Sequence, residues 1–193
     1  MKIDLKKEAT FYKEQVIDNL QLMCSIANDV PPFEEIQFDI QTCDQINFSQ
    51  FEMNDVIYVL RINNFSKEFS NVRFCEVISQ LKKTKSVKYK LPKVNMEYAI
   101  NENSILYVGK SSGLFSTRLK NHCCDLSDKT YSLQLFHLKS LPKLPHLTFT
   151  LYYTKVDFDK HGITEHNQKK GLLELLETSL HHHYKPLLGR TGH

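Results

Sequence analysis

The chain has 193 residues and a mass of 22.6 kDa, which predicts one domain, at most with a helical appendage. Apolar residues make up 41% and charged residues 24%, with only 6 Gly and 6 Pro, and these values exclude collagen, low-complexity disorder and a disulfide-dense miniprotein. No apolar run approaches the roughly 20 residues that span a membrane, and the N-terminal stretch lacks the apolar core of a secretion signal. The five Cys occupy unrelated positions without a C-x-x-C pair, so we expect reduced thiols and a cytoplasmic protein.

Charge is unevenly distributed along the chain, although the net charge of +3 is too small to indicate a partner by itself. Residues 14–60 contain no Lys or Arg and nine acids, whereas residues 82–93 contain six lysines and no acid. The six are Lys82, Lys83, Lys85, Lys88, Lys90 and Lys93. Such asymmetry indicates a surface for a polyanion, and the alternative is a solvated lysine-rich loop.

The first half of the chain begins with a predicted helix over residues 4–27, where apolar residues recur at spacings of three, four and seven. A Pro-Pro pair ends it, and the polar residues 33–54 are predicted to be irregular or to form short strands. The β-branched and aromatic run at 55–62 predicts a strand. A second helix is predicted over 71–83, with the lysine stretch following it.

The second half is predicted to alternate strands and helices. A strand over 104–110 precedes a helix over 114–123, and a strand over 147–156 alternates apolar and polar residues. The last helix is predicted over 168–184 and is stopped by Pro186. This order predicts an α+β fold, in which helices flank a small, mostly antiparallel sheet.

Three fragments carry most of the residues suited to catalysis: Val56-Ile57-Tyr58, the segment YVGKSSGLFSTRLKNH that begins at Tyr107, and LLELLETSLHHHYKPLLG near the C-terminus. In this order they resemble the GIY-YIG nuclease superfamily, over roughly residues 55–62 and 104–189. The resemblance implies a nuclease core at 55–193 with an insertion at 63–103. Residues 1–54 would form an N-terminal helical or irregular extension.

Two positions depart from the family's pattern. Val56 stands where the first motif has Gly, and Gly189 stands three residues after Pro186, where the family usually has Asn. Val56 would change only strand packing. Gly189 removes an amide that would hold the shape of the site, so that support must come from another residue.

Arg118 and His122 are four residues apart and therefore project from the same face of a helix. A guanidinium can bind two oxygens of a phosphodiester and neutralise its developing charge. The resemblance assigns this role to Arg118, and the alternative is a surface arginine. His122 could accept or relay a proton, because imidazole titrates near neutrality, or it could cap the helix end or contact phosphate.

Glu177 lies at the edge of the apolar stripe of the last helix, where a half-buried carboxylate needs a cation or a partner. The resemblance implies that Glu177 is the single protein ligand of Mg²⁺, for which Mn²⁺ can substitute. One carboxylate with waters and a phosphate oxygen is the usual way in which Mg²⁺ is held. The neighbouring Glu174 points further toward solvent, and the alternative for Glu177 is pairing with a basic side chain.

Tyr58 and Tyr107 correspond to the strand tyrosines of the family. A phenol with a pKa near 10 is a poor base, and a nearby cation such as Lys110, Arg118 or the metal would lower that pKa. The resemblance suggests that Tyr58 activates or orients the attacking water and that Tyr107 orients water or phosphate. Lys110 would add positive potential. Without the motif, each tyrosine would be read as a core residue with a hydrogen-bonded hydroxyl.

The resemblance implies one-metal hydrolysis of a DNA phosphodiester, with Arg118 stabilising the developing charge and the Mg²⁺ at Glu177 stabilising the leaving 3′ oxygen. The short chain with its insertion looks most like the type II restriction endonucleases, which cut double-stranded DNA at specific sites. We therefore expect a homodimer with its contact at the N-terminal helix, and phosphate contacts from residues 82–93. The alternatives are a structure-specific repair or mobile-element nuclease and a non-catalytic DNA-binding protein on a degenerate nuclease fold.

Overall fold

The computed structural model describes residues 5–64, 69–83, 91–101, 103–124, 131–139 and 146–190. Lys85, Lys88 and Lys90 lie outside these ranges. The helices are α1 (Leu5–Asp29), α2 (Asn71–Lys83), α3 (Met96–Ala99), α4 (Phe115–Cys123), α5 (Leu135–Leu138) and α6 (His166–Tyr184). The strands are β1 (Glu34–Asp39), β2 (Val56–Ile62), β3 (Ile105–Ser111) and β4 (Thr148–Lys155).

The four strands form one antiparallel sheet in the order β1-β4-β2-β3. The predicted α+β class and the mostly antiparallel sheet are therefore confirmed. The segment 33–54, predicted as irregular or short strands, contributes β1, which pairs with β4. The N-terminal extension thus belongs to the same sheet as the residues that resemble a nuclease core.

Strand β2 lies in the middle of the fold and is buried on both faces. Its apolar sequence VIYVLRI allows this, because a strand covered on both sides needs a nearly continuous hydrophobic run. Tyr58 and Leu60 face the larger core, which also contains Phe51 and Phe115. Ile57 faces the opposite core, where it packs with the leucines of α6.

The long helix α1 is only partly packed. Its C-terminal part contacts the core beneath α6 through Leu22, Met23 and the buried Ile26. Further toward the N-terminus, Tyr12 and Leu20 are exposed, although the periodicity places them on the apolar side of the helix. The helix therefore presents an apolar surface that the rest of the described chain does not cover.

Two coarse properties follow from the described residues. Within them, no helix is both long and apolar enough to cross a bilayer. All five cysteines lie in the described ranges, and each is a free thiol.

Candidate active site

The sheet register places Tyr58 and Tyr107 side by side. Tyr58 on β2 lies opposite Gly109 on β3, and Tyr107 lies two residues before Gly109 on the same face. The ring centroids of the two tyrosines are 6.1 Å apart. A Cβ atom on Gly109 would lie 2.4 Å from the Oη of Tyr58 and 2.7 Å from the Cε1 of Tyr107. Gly109 is therefore the residue that lets the Tyr58 ring cross the neighbouring strand.

Arg118, in the second turn of α4, joins the two phenols. Its Nε donates to the Oη of Tyr58 and its Nη2 donates to the Oη of Tyr107, each at 3.1 Å. A guanidinium has five N–H donors in one plane, so these two bonds fix its orientation and leave the others available. Arg118 is only partly buried. Its remaining donors are therefore suited to bind an oxyanion at the surface of the site.

His122 lies one turn further along α4 and approaches Tyr58 from the protein interior. Its Nε2 is 2.7 Å from the Oη of Tyr58, and its Nδ1 accepts the backbone N–H of Leu133 at 3.1 Å. Because Nδ1 is an acceptor, the proton of the neutral ring is on Nε2, which donates to Tyr58. Burial, and then the charge of Arg118, lowers the pKa of His122 well below its ordinary value. His122 therefore positions Tyr58 and, at 2% exposure, has no access to a substrate in this conformation.

The two tyrosines are neutral in this arrangement. Burial raises the pKa of Tyr58 and of Tyr107 above the ordinary value, and it outweighs the opposite effect of Arg118. Arg118 does lower the pKa of both phenols, as expected, but the loss of hydration on burial is larger, so the net change is upward. The Oη of Tyr58 accepts from both Arg118 and His122, so its lone pairs are in use. Tyr58 is thus arranged to orient a neighbouring group rather than to accept a proton.

An acidic pair lies on α6, which packs against the face of the sheet opposite to that of Tyr58. Lys110, which follows Gly109 on β3, points to the α6 side of the sheet, and its Nζ lies 2.7 Å from Oε2 of Glu177 and 3.5 Å from Oε2 of Glu174. The Glu177 side chain is 17% exposed and that of Glu174 is 27% exposed, in the order that the sequence predicts. The charge of Glu177 also contributes to the raised pKa of Tyr107, after burial and against Arg118. The acid therefore lies within electrostatic reach of the phenols.

The donor set around Lys110 can hold a cation of a particular kind. Glu177 and Glu174 converge on one ammonium group, so this part of the site already holds a positive charge. A carboxylate has about four lone-pair positions, of which the bond from Lys110 uses one. Among the described residues, no group of three or more His, Cys, Asp or Glu side chains could enclose a metal. In this structure Glu177 is therefore paired with a basic side chain, which is the alternative that the sequence left open, and Mg²⁺ would have to bind at the remaining lone pairs of that carboxylate together with waters and a substrate oxygen.

The predicted phosphate-binding lysines fall partly within the described residues. Lys82 donates to the carbonyl of Pro92 at 2.8 Å, and Lys93 lines a cavity together with Arg190. Lys83 is exposed at the end of α2. The three remaining lysines of the stretch lie in the part that the structure does not describe.

Sequence reasoning missed Asn95, which holds the segment after α6 in place. Gly189 has a φ of +116°, and a Cβ there would lie 3.3 Å from the Cε2 of Tyr107. An asparagine would therefore be both strained and crowded at this position. Asn95 instead supplies an amide from the insertion, because its Nδ2 donates to the carbonyls of Pro186 at 2.9 Å and Gly189 at 3.1 Å. A polar residue between Val94 and Met96 was the one signal in the sequence that could have indicated it.

The other departure from the motif has a simple place in the fold. Val56 is fully buried in the larger core, where it faces Ser111 across the β2–β3 ladder. Its side chain contributes to packing two residues from Tyr58, and neither the Tyr58 ring nor the Arg118 contact depends on a glycine at this position.

No model of a known protein family matches this chain, and no curated protein or solved structure matches it either. Its function is therefore inferred from the geometry of the site and from the order of the motifs along the chain.

Proposed function

We propose that this protein is a Mg²⁺-dependent, site-specific endonuclease that hydrolyses phosphodiester bonds of double-stranded DNA, of the type II restriction class. The observation that carries the proposal is the convergence of Arg118, Tyr58 and Tyr107 in one hydrogen-bonded cluster within electrostatic reach of the half-buried Glu177. A guanidinium and a carboxylate are the groups that phosphodiester hydrolysis requires, one for the phosphate oxygens and one for a divalent cation.

Each group of the cluster has a separate task in this proposal. The free N–H donors of Arg118 bind the non-bridging oxygens of the scissile phosphate and stabilise the charge that develops there. Tyr58 and Tyr107 keep the guanidinium in place and thereby orient the phosphate that Arg118 binds. Glu177 would hold Mg²⁺, or Mn²⁺ in its place, and a bound divalent cation supplies Lewis-acid charge beside the leaving 3′ oxygen.

Lys110 would then serve a second purpose. In the conformation described here its ammonium lies between the two acids of α6, so it neutralises Glu177 in the absence of a divalent cation. Were Glu177 to hold a divalent cation, Lys110 would lose this partner and its ammonium could pair with a phosphate instead. This exchange keeps the half-buried carboxylate from being left without a positive partner.

The partners that we propose are double-stranded DNA and a second copy of this chain. Lys82, Lys83 and Lys93 start and end the lysine stretch and would contact backbone phosphates. The apolar side of α1, with Tyr12 68% exposed and Leu20 44% exposed, would form the dimer contact. Two active sites related by symmetry are the simplest means of cutting both strands of a palindromic site. We place the protein in the cytoplasm, where free thiols remain reduced.

The experiment is incubation of the full chain with plasmid and phage DNA in Mg²⁺, followed by end-sequencing of the products. Discrete fragments with a common end sequence support the proposal. Preference for flaps or branches would replace it with a structure-specific nuclease, and binding without cleavage in Mg²⁺ or Mn²⁺ would replace it with a non-catalytic DNA-binding protein.

Variants test the assigned residues in the same assay. Glu177→Ala and Arg118→Ala are each expected to abolish cleavage while the far-ultraviolet circular dichroism stays unchanged. Glu165→Ala and Arg73→Ala remove the same residue types from exposed positions, one just before α6 and one on α2, and should cleave normally. Full cleavage by either site variant would contradict the assignment.

A further inference from the structure

A concave surface lies beside Gly189, whose Cβ position also faces Tyr107. It is a cavity of about 330 Å³, roughly ten times the volume that one water molecule occupies in the liquid. Its lining includes Lys93, Asn95, Glu97, His181, Gly189 and Arg190. None of the tasks proposed above for the active-site cluster uses this cavity.

The cavity contains a buried polar group that lacks a partner. His181, on α6, is 3% exposed, and neither of its ring nitrogens has a hydrogen-bond partner among the described residues. Buried polar atoms are nearly always hydrogen-bonded, because an unpaired one loses its hydrogen bonds to water and gains none in the protein. An imidazole at the wall of a cavity can recover that loss by bonding to a ligand, and when protonated it offers two donors.

The charges around the cavity favour an anion. Lys93 and Arg190 line it. Lys82 lies near enough to Arg190 that its pKa is lowered, first by burial and then by the charge of Arg190. Glu97 is the one acid in the described lining. Burial, and then the neighbouring His182 and Lys93, lower the pKa of His181.

The cavity also has a fixed position relative to the active-site cluster. A Cβ atom on Gly189 would lie 3.2 Å from the Nε2 of His181 and 3.3 Å from the Cε2 of Tyr107. The unpartnered imidazole and the phenol that holds Arg118 therefore flank the same space, which the missing side chain of Gly189 leaves open. Asn95 fixes that backbone through its bond to the carbonyl of Gly189.

We propose that this cavity binds a phosphate of the DNA strand next to the phosphate that is cleaved, with His181, Lys93 and Arg190 as its donors. The inference rests on the proposed nuclease function for the identity of the ligand. That the ligand is an anion follows from the side chains that line the cavity, and this part can be tested without cleavage. Binding of the neighbouring phosphate would fix the position of the strand relative to Arg118, which is the positioning that in-line attack requires.

The first test uses inorganic phosphate as the probe and the His181 ring as the reporter. The full chain with labelled histidines is titrated by NMR from about pH 5 to pH 8, the range in which imidazole changes its charge, with and without phosphate. His181→Asn assigns the resonance. Phosphate is expected to raise the midpoint of His181 by about one pH unit, because a nearby anion favours the imidazolium. An unchanged midpoint would overturn the proposal.

A matched pair of double variants shows which cations are responsible. Lys93→Gln with Arg190→Gln removes two exposed charges from the cavity, and it should abolish the effect of phosphate on His181. Lys13→Gln with Lys155→Gln removes the same charge from exposed positions on α1 and β4 and should leave the effect unchanged. An equal reduction in both pairs would mean that net charge, and not this cavity, draws the anion, and the proposal would fail.

The second test measures the affinity for duplex DNA at several salt concentrations in EDTA, so that no cleavage occurs. In the Lys93→Gln, Arg190→Gln double variant, the slope of log K against log salt is expected to become less steep by about 0.9 for each phosphate that is no longer neutralised. The Lys13→Gln, Lys155→Gln control should keep the wild-type slope. If the wild-type protein cleaves DNA but the Lys93→Gln, Arg190→Gln variant keeps the wild-type slope, the phosphate site is refuted and the proposed function is not. A protein whose His181 responds to phosphate but which binds no DNA would refute the DNA assignment and the proposed function together.

Discussion

Replacing Gly109 with alanine places a methyl group where the Tyr58 ring now lies. The new Cβ would lie 2.4 Å from the Oη of Tyr58, 2.5 Å from its Cζ and 2.7 Å from the Cε1 of Tyr107. Tyr58 is fully buried, and its hydroxyl bonds to both Arg118 and His122, so the ring has no free volume into which it can move. The substitution must therefore displace the ring and lengthen its hydrogen bonds.

The cost has two parts. Overpacking a buried position by one methyl group destabilises by about 1–3 kcal/mol. The weakened bond from the guanidinium adds roughly 1.5–3 kcal/mol if it breaks and less if it only lengthens. We expect Gly109→Ala to lower the free energy of unfolding by about 2–5 kcal/mol, which at a slope of about 2 kcal/mol/M is a fall of about 1–2.5 M in the urea midpoint.

The assay is urea unfolding followed by circular dichroism, with Gly113→Ala as the control. Nothing lies within 4 Å of a Cβ at Gly113, and its backbone does not have a positive φ. That variant should be neutral or stabilised by about 0.4–1 kcal/mol, because alanine restricts the unfolded chain. If the urea midpoints of the two variants agree within error, then the crossing of Tyr58 over Gly109 is not the constraint described here.

Three further predictions concern the neighbours of this contact. Since His122 is held neutral, the unfolded chain takes up a proton below about pH 6.5 that the folded chain does not. The free energy of unfolding should therefore decrease as the pH is lowered below that value, by at most about 1.4 kcal/mol per pH unit. Urea midpoints at several pH values should show a shallower fall in His122→Gln. Asn95→Ala should cost about 1–3 kcal/mol in the same unfolding assay, because the buried carbonyls of Pro186 and Gly189 lose their donor. Lys110→Met should tighten Mn²⁺ binding, measured by calorimetry, by about tenfold or more, since an ammonium no longer competes for the carboxylates.

Each of these predictions has a control and a contrary result. His166→Gln, an exposed change on α6, should keep the wild-type pH dependence, and an unaltered slope in His122→Gln would speak against the neutral tautomer. Asn167→Ala, also at an exposed position, should leave the free energy of unfolding unchanged. If Asn95→Ala also leaves it unchanged, Asn95 does not have the structural role described here. Adding Glu177→Gln to Lys110→Met should reverse the gain in Mn²⁺ affinity, and persistence of that gain would place the cation elsewhere.

The regular elements could be predicted because their periodicity is strong. The helix predicted over 71–83 occupies Asn71–Lys83, and the alternating run at 147–156 forms Thr148–Lys155. Strand β1 (Glu34–Asp39) was harder to recognise, because three of its six residues are acidic and it lies at the edge of the sheet, where only one neighbour supports it. The short helix Met96–Ala99 has too few residues for a periodic pattern.

The site was predictable where its parts are close in sequence. Arg118 and His122 lie one turn apart, so a shared helix face follows from spacing alone. The neutral state of Tyr58 could not be predicted, because it depends on how deeply the fold buries the ring and on the donor that Leu133 directs to His122. The role of Asn95 depends on a contact across 91 residues of chain, which no local pattern contains.

The segment that follows α6 affects the order in which the fold can be completed during synthesis. Leu187 and Leu188 donate to the carbonyls of Ile105 and Leu106, and Gly189 donates to that of Lys93, so this segment lies between β3 and the insertion. A growing polypeptide that has reached Tyr184 already contains all four strands and α6, yet its flank beside Tyr107 is still open to water. The flank beside Tyr107 therefore closes only after residues 185–189 have joined the chain, behind all four strands and α6.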